Sequence, residues 1–143
     1  MRYFVIHGEP VAKGRPRFNR STGRAFTPQK TINYETLVKM EYLNACPDVP
    51  LYSADTALSV HVDAYVSIPS SASKKKRKDM IDGKIRPTKK PDADNLIKSL
   101  MDAGNGVIWE DDKCVVEVVL RKWYGEEPRV EMIIDEAELP VPF

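Results

Sequence analysis

From Pro91 to Lys98 the chain reads Pro-Asp-Ala-Asp-Asn-Leu-Ile-Lys, two carboxylates at i and i+2 followed by an amine one helical turn after Asp94. Such spacing gathers Asp92, Asp94 and Lys98 at one end of a helix. Further on, Glu110-Asp111-Asp112 directly precedes an apolar run that begins at Cys114, so a third carboxylate is placed to project from a strand end toward the helix start. Hard oxygen donors beside a cation suit Mg²⁺, with Mn²⁺ as a substitute. Mg²⁺ keeps several waters and takes few protein carboxylates plus substrate phosphate oxygens. Which acid of that cluster faces the helix depends on the strand's register: Asp112 shares the parity of Cys114 and Val116, and Asp111 has the opposite one.

Each part has a plainer reading. An acid before a helix commonly caps it and complements its dipole, and Lys98 stands at helical spacing from both Asp94 and Asp102. Two other chemistries of the Asp-x-Asp pattern fail on the residues. A calcium loop starting at Asp92 needs glycine at its sixth position, where Ile97 stands. A phospho-aspartate enzyme hangs its acids on a buried apolar strand, whereas Arg86-Pro87-Thr88-Lys89-Lys90-Pro91 precedes them here.

The formal net charge of +1 conceals a segregation of sign. Between residues 13 and 30 stand six basic residues, Lys13, Arg15, Arg17, Arg20, Arg24 and Lys30, and no acid. Between 74 and 90 stand nine, among them Lys74, Lys75, Lys76, Arg77, Lys89 and Lys90, against only Asp79 and Asp82. Two basic stretches therefore flank the acidic centre, an arrangement suited to holding the phosphates of a nucleic acid around a metal-dependent reaction. Phe18 and Phe26, interleaved with the arginines, are candidates to stack on an opened base or to anchor the loop.

The elements that must position these residues are legible in the periodicity. Residues 2–7 read as a strand, and 8–26 as a long, mobile basic loop. Thr27 as cap and Pro28 at the first helical position open a helix bearing Tyr34, Leu37, Val38 and Ala45 on one face, ended at Cys46-Pro47. From Leu58 to Ile68 apolar and polar residues alternate strictly, the period of a strand with one buried face. The basic segment 70–90 has serine caps but only Ala72, Met80 and Ile81 as anchors, so a helix there is weakly held and ordered by a partner. Asp94 caps a short helix through Leu96, Ile97, Leu100 and Met101 that closes at Gly104 to Gly106. A strand through Cys114, Val116, Val118 and Leu120 then turns at Gly125 to Pro128 into a last strand with Val130, Met132 and Ile134. The expectation is an α+β fold, a small mixed or antiparallel sheet of about four strands with two to three helices. One domain covers residues 1–143, ending in a tail over 136–143.

A chain of 143 residues with 42% apolar content buries one core unaided. No run reaches the roughly 18 apolar residues of a membrane span, and the alternating N-terminus is unlike a signal peptide. The expected location is the cytoplasm, with no membrane partner. Cys46 and Cys114 lack a metal-ligand spacing and read as reduced thiols. His7 and His61 sit in strand patterns and carry no catalytic weight, His61 pointing outward. Trp109 and Trp123 border apolar strands and read as packing residues.

The residues resemble a known family, the RusA-like Holliday-junction resolvases, many of them encoded by phages and prophages. The resemblance rests on KPDADNLIKSLMDAGNGVIWEDDKCV at 90–115, with GRPRF at 14–18 and AFTPQKTINYE at 25–35. It implies a Mg²⁺-dependent endonuclease that resolves Holliday junctions by paired, symmetric phosphodiester cleavage in recombination and repair. By motif position it places the metal on Asp92, Asp94 and Asp112 and a cleavage-assisting role on Lys98. It also implies a homodimer on branched DNA, consistent with the two-fold symmetry of a four-way junction; the apolar tail 139–143 is a candidate to dock on a neighbour or on its own domain. Gly104 replaces the family's usual apolar residue, which is expected to loosen the end of the helix. Two other functions compete: a junction-binding protein that does not cut, and a Mg²⁺ nuclease acting on flaps, forks or plain duplex.

Overall fold

The computed structural model describes residues 1–140. It contains β1 (Arg2–His7), β2 (Arg17–Phe18), β3 (Ala25–Phe26), α1 (Gln29–Ala45), β4 (Leu58–Ser67), α2 (Lys74–Ile81), α3 (Ala93–Gly104), a 3₁₀ turn (Asp112–Cys114), β5 (Val115–Gly125) and β6 (Arg129–Glu136). The fold is α+β, with a mixed four-stranded sheet in the order β1-β6-β4-β5 and a separate two-stranded hairpin of β2 and β3.

The alternation of β4 does what its period requires. Leu58, Val60, Val62, Ala64 and Val66 are buried, and the register carries their face across β6 to β1, so that Val62 lies beside Met132 and Met132 beside Phe4. On this face α1 contributes Tyr34, Val38 and Tyr42, and α3 contributes Leu96, Leu100 and Ala103, to a single core. Phe4 meets Tyr42 edge-on at 5.3 Å between ring centroids. α1 begins one residue later than its proline signal suggests: Pro28 is the cap and makes no side-chain bond.

The last two strands depart from the simple hairpin expected of Gly125 to Pro128. β6 is antiparallel to β4 on one side while β5 is parallel to β4 on the other, so the turn between them passes over the end of β4. Apolar content draws β6 into the middle of the sheet, where Val130, Met132 and Ile134 are fully buried. β5 is left at the edge. Val116 and Val118, expected to face the core, are 59% and 44% exposed, and the register shifts beside Leu58 at the start of the β4–β5 pair.

Three segments are more ordered than their composition suggests. The loop 8–26 carries the β2–β3 hairpin, closed by the Asn19 N–H on the Arg24 carbonyl at 2.9 Å, which presents Phe18 and Phe26 to solvent. α2 forms within the monomer, capped by the Ser73 hydroxyl on the Lys76 N–H and anchored by buried Met80. Between α2 and α3, Arg86 stacks on Trp123 at 3.6 Å and donates to the Lys122 carbonyl, while Lys122 donates to the Lys89 carbonyl, so the segment is tied to the edge of β5.

Gly104 is no loose end. A Cβ there would lie 2.5 Å from the Trp109 ring, which packs over the glycine and is itself fully buried. Gly104→Ala is therefore expected to destabilise the fold by about 1–3 kcal/mol through overpacking, read as a lower midpoint in urea with an unchanged slope.

Candidate active site

α3 carries the site. Its strong apolar stripe buries Leu96, Leu100, Met101 and Ala103 and leaves Asp94 and Lys98 on the exposed side. Asp92, rather than Asp94, is the cap residue. Its side chain makes no capping bond and lies 3.5 Å from the Asn95 amide. Two exposed carboxylates thus flank a helix N-terminus, where the partial positive charge of the dipole favours anions.

At 100° per residue, Asp94, Lys98 and Asn105 fall within about 40° of one another on the same side of α3. Asp112 joins that side at its far end through a 3.4 Å contact from the Asn105 amide. From Asp94 to Asn105 the axis rises about 16 Å, so Asp94, Lys98 and Asp112 are strung along one helix face, while Asp92 stands off that face as the cap residue. No group of three or more His, Cys, Asp or Glu side chains among the described residues is gathered closely enough to share an ion. The pair Asp92 and Asp94 fits Mg²⁺ on its donor chemistry, since that ion needs only one or two carboxylates when phosphate oxygens and water complete its shell.

The parity argument for the third acid gives way to a different geometry, because Asp112 begins a 3₁₀ turn rather than a strand. Asp111 is extended, and its carboxylate accepts from the Lys113 N–H at 2.9 Å. Cys114 is buried and donates to the Asp111 carbonyl. Burial pushes its thiol pKa up, in keeping with a packing role. The Trp109 indole N–H donates to the Asn105 side-chain oxygen at 3.0 Å, so the partner of Asp112 is held from the core.

Beside Asp92 opens a cleft of about 790 Å³. Its walls come from the loop 9–17, the start of α1, the ends of β4 and β5, and residues 87–92. Arg15, Arg17, Lys30, Lys89 and Lys90 all line it, which brings the two basic stretches together on either side of Asp92 and Asn95. Arg20 and Arg24 lie outside the cleft, in the turn of the hairpin. Lys74, Lys75, Lys76 and Arg77 form the exposed α2 surface, where Arg77 approaches Glu126 at 3.7 Å.

Lys13, expected as a DNA contact, is engaged within the fold. Its ammonium donates to Glu35 of α1 at 2.8 Å and to Asp102 of α3 at 3.0 Å, and its backbone N–H donates to the Asn95 carbonyl at 2.9 Å. Burial alone would lower its pKa, but the hydrogen bonds to the two carboxylates outweigh that and hold the pKa above the ordinary value. Composition could not separate this lysine from its neighbours. The acids that claim it are distant in sequence.

The raised pKa gives this tie a definite sign: its contribution is complete below the unfolded value of about 10.4 and is lost as pH rises through the folded one. Lys13→Met is expected to cost about 2 kcal/mol by leaving two half-buried carboxylates unpaired. It should leave the salt dependence of DNA binding unchanged, whereas Lys89→Ala should reduce the slope of log K against log salt by about one.

The sequence as a whole matches the family described as Endodeoxyribonuclease RusA over residues 7–135. The chain belongs to the RusA endodeoxyribonuclease family. The match spans the basic loop, α3, the acids before β5 and both final strands. It is also 38% identical over 137 residues to the uncharacterized protein YqaN of Bacillus subtilis (strain 168), covering 93% of this chain and 94% of that one. Trp123 donates its indole N–H to Asp63, and His61 is exposed on β4. No helix among the described residues is long and apolar enough to cross a membrane.

Proposed function

We propose that this protein is a Mg²⁺-dependent endonuclease that resolves four-way DNA junctions, Mn²⁺ serving as a substitute. What carries the reading is the convergence of cations from two separate basic stretches on the cleft beside Asp92 and Asn95, in a chain that belongs to an endodeoxyribonuclease family.

Asp92 and Asp94 are the proposed ligands at the start of α3. By motif position Asp112 is the proposed third ligand, with Asp111 as the alternative; each carboxylate is engaged in this structure, Asp112 by the Asn105 amide and Asp111 by the Lys113 N–H, and Asp112 reaches an ion at the start of α3 only if that end of the site moves toward Asp92 and Asp94. When bound, Mg²⁺ neutralises a non-bridging phosphate oxygen and lowers the pKa of water at the site. The chain's own groups do the remainder. Lys98, one turn beyond Asp94, offers an ammonium to the charge that grows on the phosphoryl oxygens. The cleft cations hold the flanking phosphates in register, while Lys74 to Arg77 on α2 and the arginines of the β2–β3 hairpin hold neighbouring DNA arms.

A second copy of the chain supplies the second cut of a paired resolution, since the two scissile phosphates of a junction are related by approximate two-fold symmetry. Of the apolar tail 139–143, Leu139 is exposed, and residues 141–143 lie outside the described residues. The proposed location is the cytoplasm, where recombination intermediates of a bacterial or phage genome are found.

The test offers labelled four-way junctions, forks, flaps and plain duplex to the protein in Mg²⁺ and in EDTA. Symmetric nicks in junctions that vanish in EDTA are expected. Tight junction binding without metal-dependent cutting would instead establish a binding protein, and equal cutting of plain duplex would remove the junction assignment.

A further inference from the structure

Resting on the nuclease reading, we propose that the cleft beside Asp92 receives one unpaired nucleotide of the strand being cut, next to the scissile phosphate. Its volume of about 790 Å³ lies in the range of sites that enclose a single small organic ligand. The double helix is far wider than such a site. A paired base enters only by leaving its stack.

The lining is divided as a nucleotide is divided. Pro10, Val11, Pro87 and Val66 give apolar wall, and Tyr124 adds an aromatic ring for a base face. Arg15, Arg17, Lys30, Lys89 and Lys90 give the charge that a sugar-phosphate backbone requires. Glu9 also lines the cleft, its carboxylate held by the Ser67 N–H at 3.2 Å. A carboxylate among cations repels phosphate but accepts a hydrogen bond from an exocyclic amino group on a base edge. Asp92 and Asn95 stand at the same cleft, so a nucleotide seated there brings its own phosphate to Asp92, at the start of α3.

The chemical consequence is a selection rule that needs no reading of the whole branch. Unstacking is easiest where a base is already unpaired, and at a crossover the bases stay paired but their continuous stack is interrupted. DNA that offers a free nucleotide at the cut is preferred over fully paired duplex by the cleft itself.

The experiment uses two linear duplexes, identical except that one carries a single unpaired nucleotide at the labelled site, and the same duplexes with 2-aminopurine at that position. In EDTA, binding of the wild-type protein to the bulged duplex should raise 2-aminopurine fluorescence above that of the free DNA. In Mg²⁺ the bulged duplex should be cut at least about tenfold faster than its paired twin. Ala12→Trp, which fills the cleft, should abolish the fluorescence rise, and Tyr124→Leu should weaken binding of the bulged duplex relative to its paired twin without filling anything. Equal cutting of both duplexes, with no fluorescence change in the wild type, would overturn the proposal. A fluorescence rise in a protein that cuts no DNA would support the nucleotide cleft and defeat the nuclease reading, so the two failures are distinguishable.

Discussion

Asp94→Asn is expected to lower metal-dependent cutting by at least about 10²–10³-fold, the scale on which one positioned charge or donor acts in a transition state. Asp94 is exposed in the first turn of α3, and its carboxylate makes no hydrogen bond or ion pair among the described residues. Replacing it by the isosteric amide therefore removes charge without opening a cavity or stranding a partner. The thermal midpoint should stay within a degree or two, and junction affinity in EDTA should hold or rise as a repelling charge disappears. Single-turnover rates in Mg²⁺, compared with binding in EDTA, measure both. Undiminished cutting would remove Asp94 from the chemistry. Asp112→Asn in the same assay settles how the face of α3 is used: a loss as large as that of Asp94→Asn puts Asp112 at the ion, and a loss below tenfold leaves it as a neighbour of Asn105.

The largest effect on stability should come from Trp109→Ala. Trp109 is fully buried, fills the space that Gly104 leaves open, and donates its indole N–H to Asn105. Its segment is also laced to Tyr52, whose N–H donates to the Ile108 carbonyl while the Glu110 N–H donates to the Tyr52 carbonyl. Truncation removes a large apolar surface and leaves a cavity under the helix that bears the acids, at an expected cost of about 3–5 kcal/mol, or roughly 12 °C in the melting midpoint. Trp109→Phe separates packing from hydrogen bonding. It should recover most of the stability while freeing Asn105, so any residual loss of cutting by that variant reports on the Asn105 to Asp112 contact.

Periodicity revealed β4 and the apolar stripe of α3 because each is a local signal: a period of two with one buried face, and a period near 3.6 with acids outside it. The spacing of Asp94 and Lys98 was equally legible, being fixed by a single helix. Three other features were not, and all depend on contacts between distant residues. Lys13 looked like another cation of the basic loop until the fold brought Glu35 and Asp102 to it. Asp112 was read by strand parity, but the chain bends into a 3₁₀ turn there before β5 starts. The glycine at 104 looked like a weakness in the helix because the indole that occupies its missing side chain arrives from five residues on.

The position of β6 bears on how the protein comes into being. Its eight residues are the last of the sheet to be made, yet they lie between β1 and β4 and hydrogen-bond to both. Until they are inserted, β1 has no strand beside it, and the surface on which α1 and α3 rest is split down the middle. Folding must then wait for pairings that join the two ends of the chain, the slowest kind to form. A nascent polypeptide halted before residue 129 would hold every acid proposed for the chemistry and lack the floor that aligns them. The aligned acids are therefore expected only once the final strand is in place.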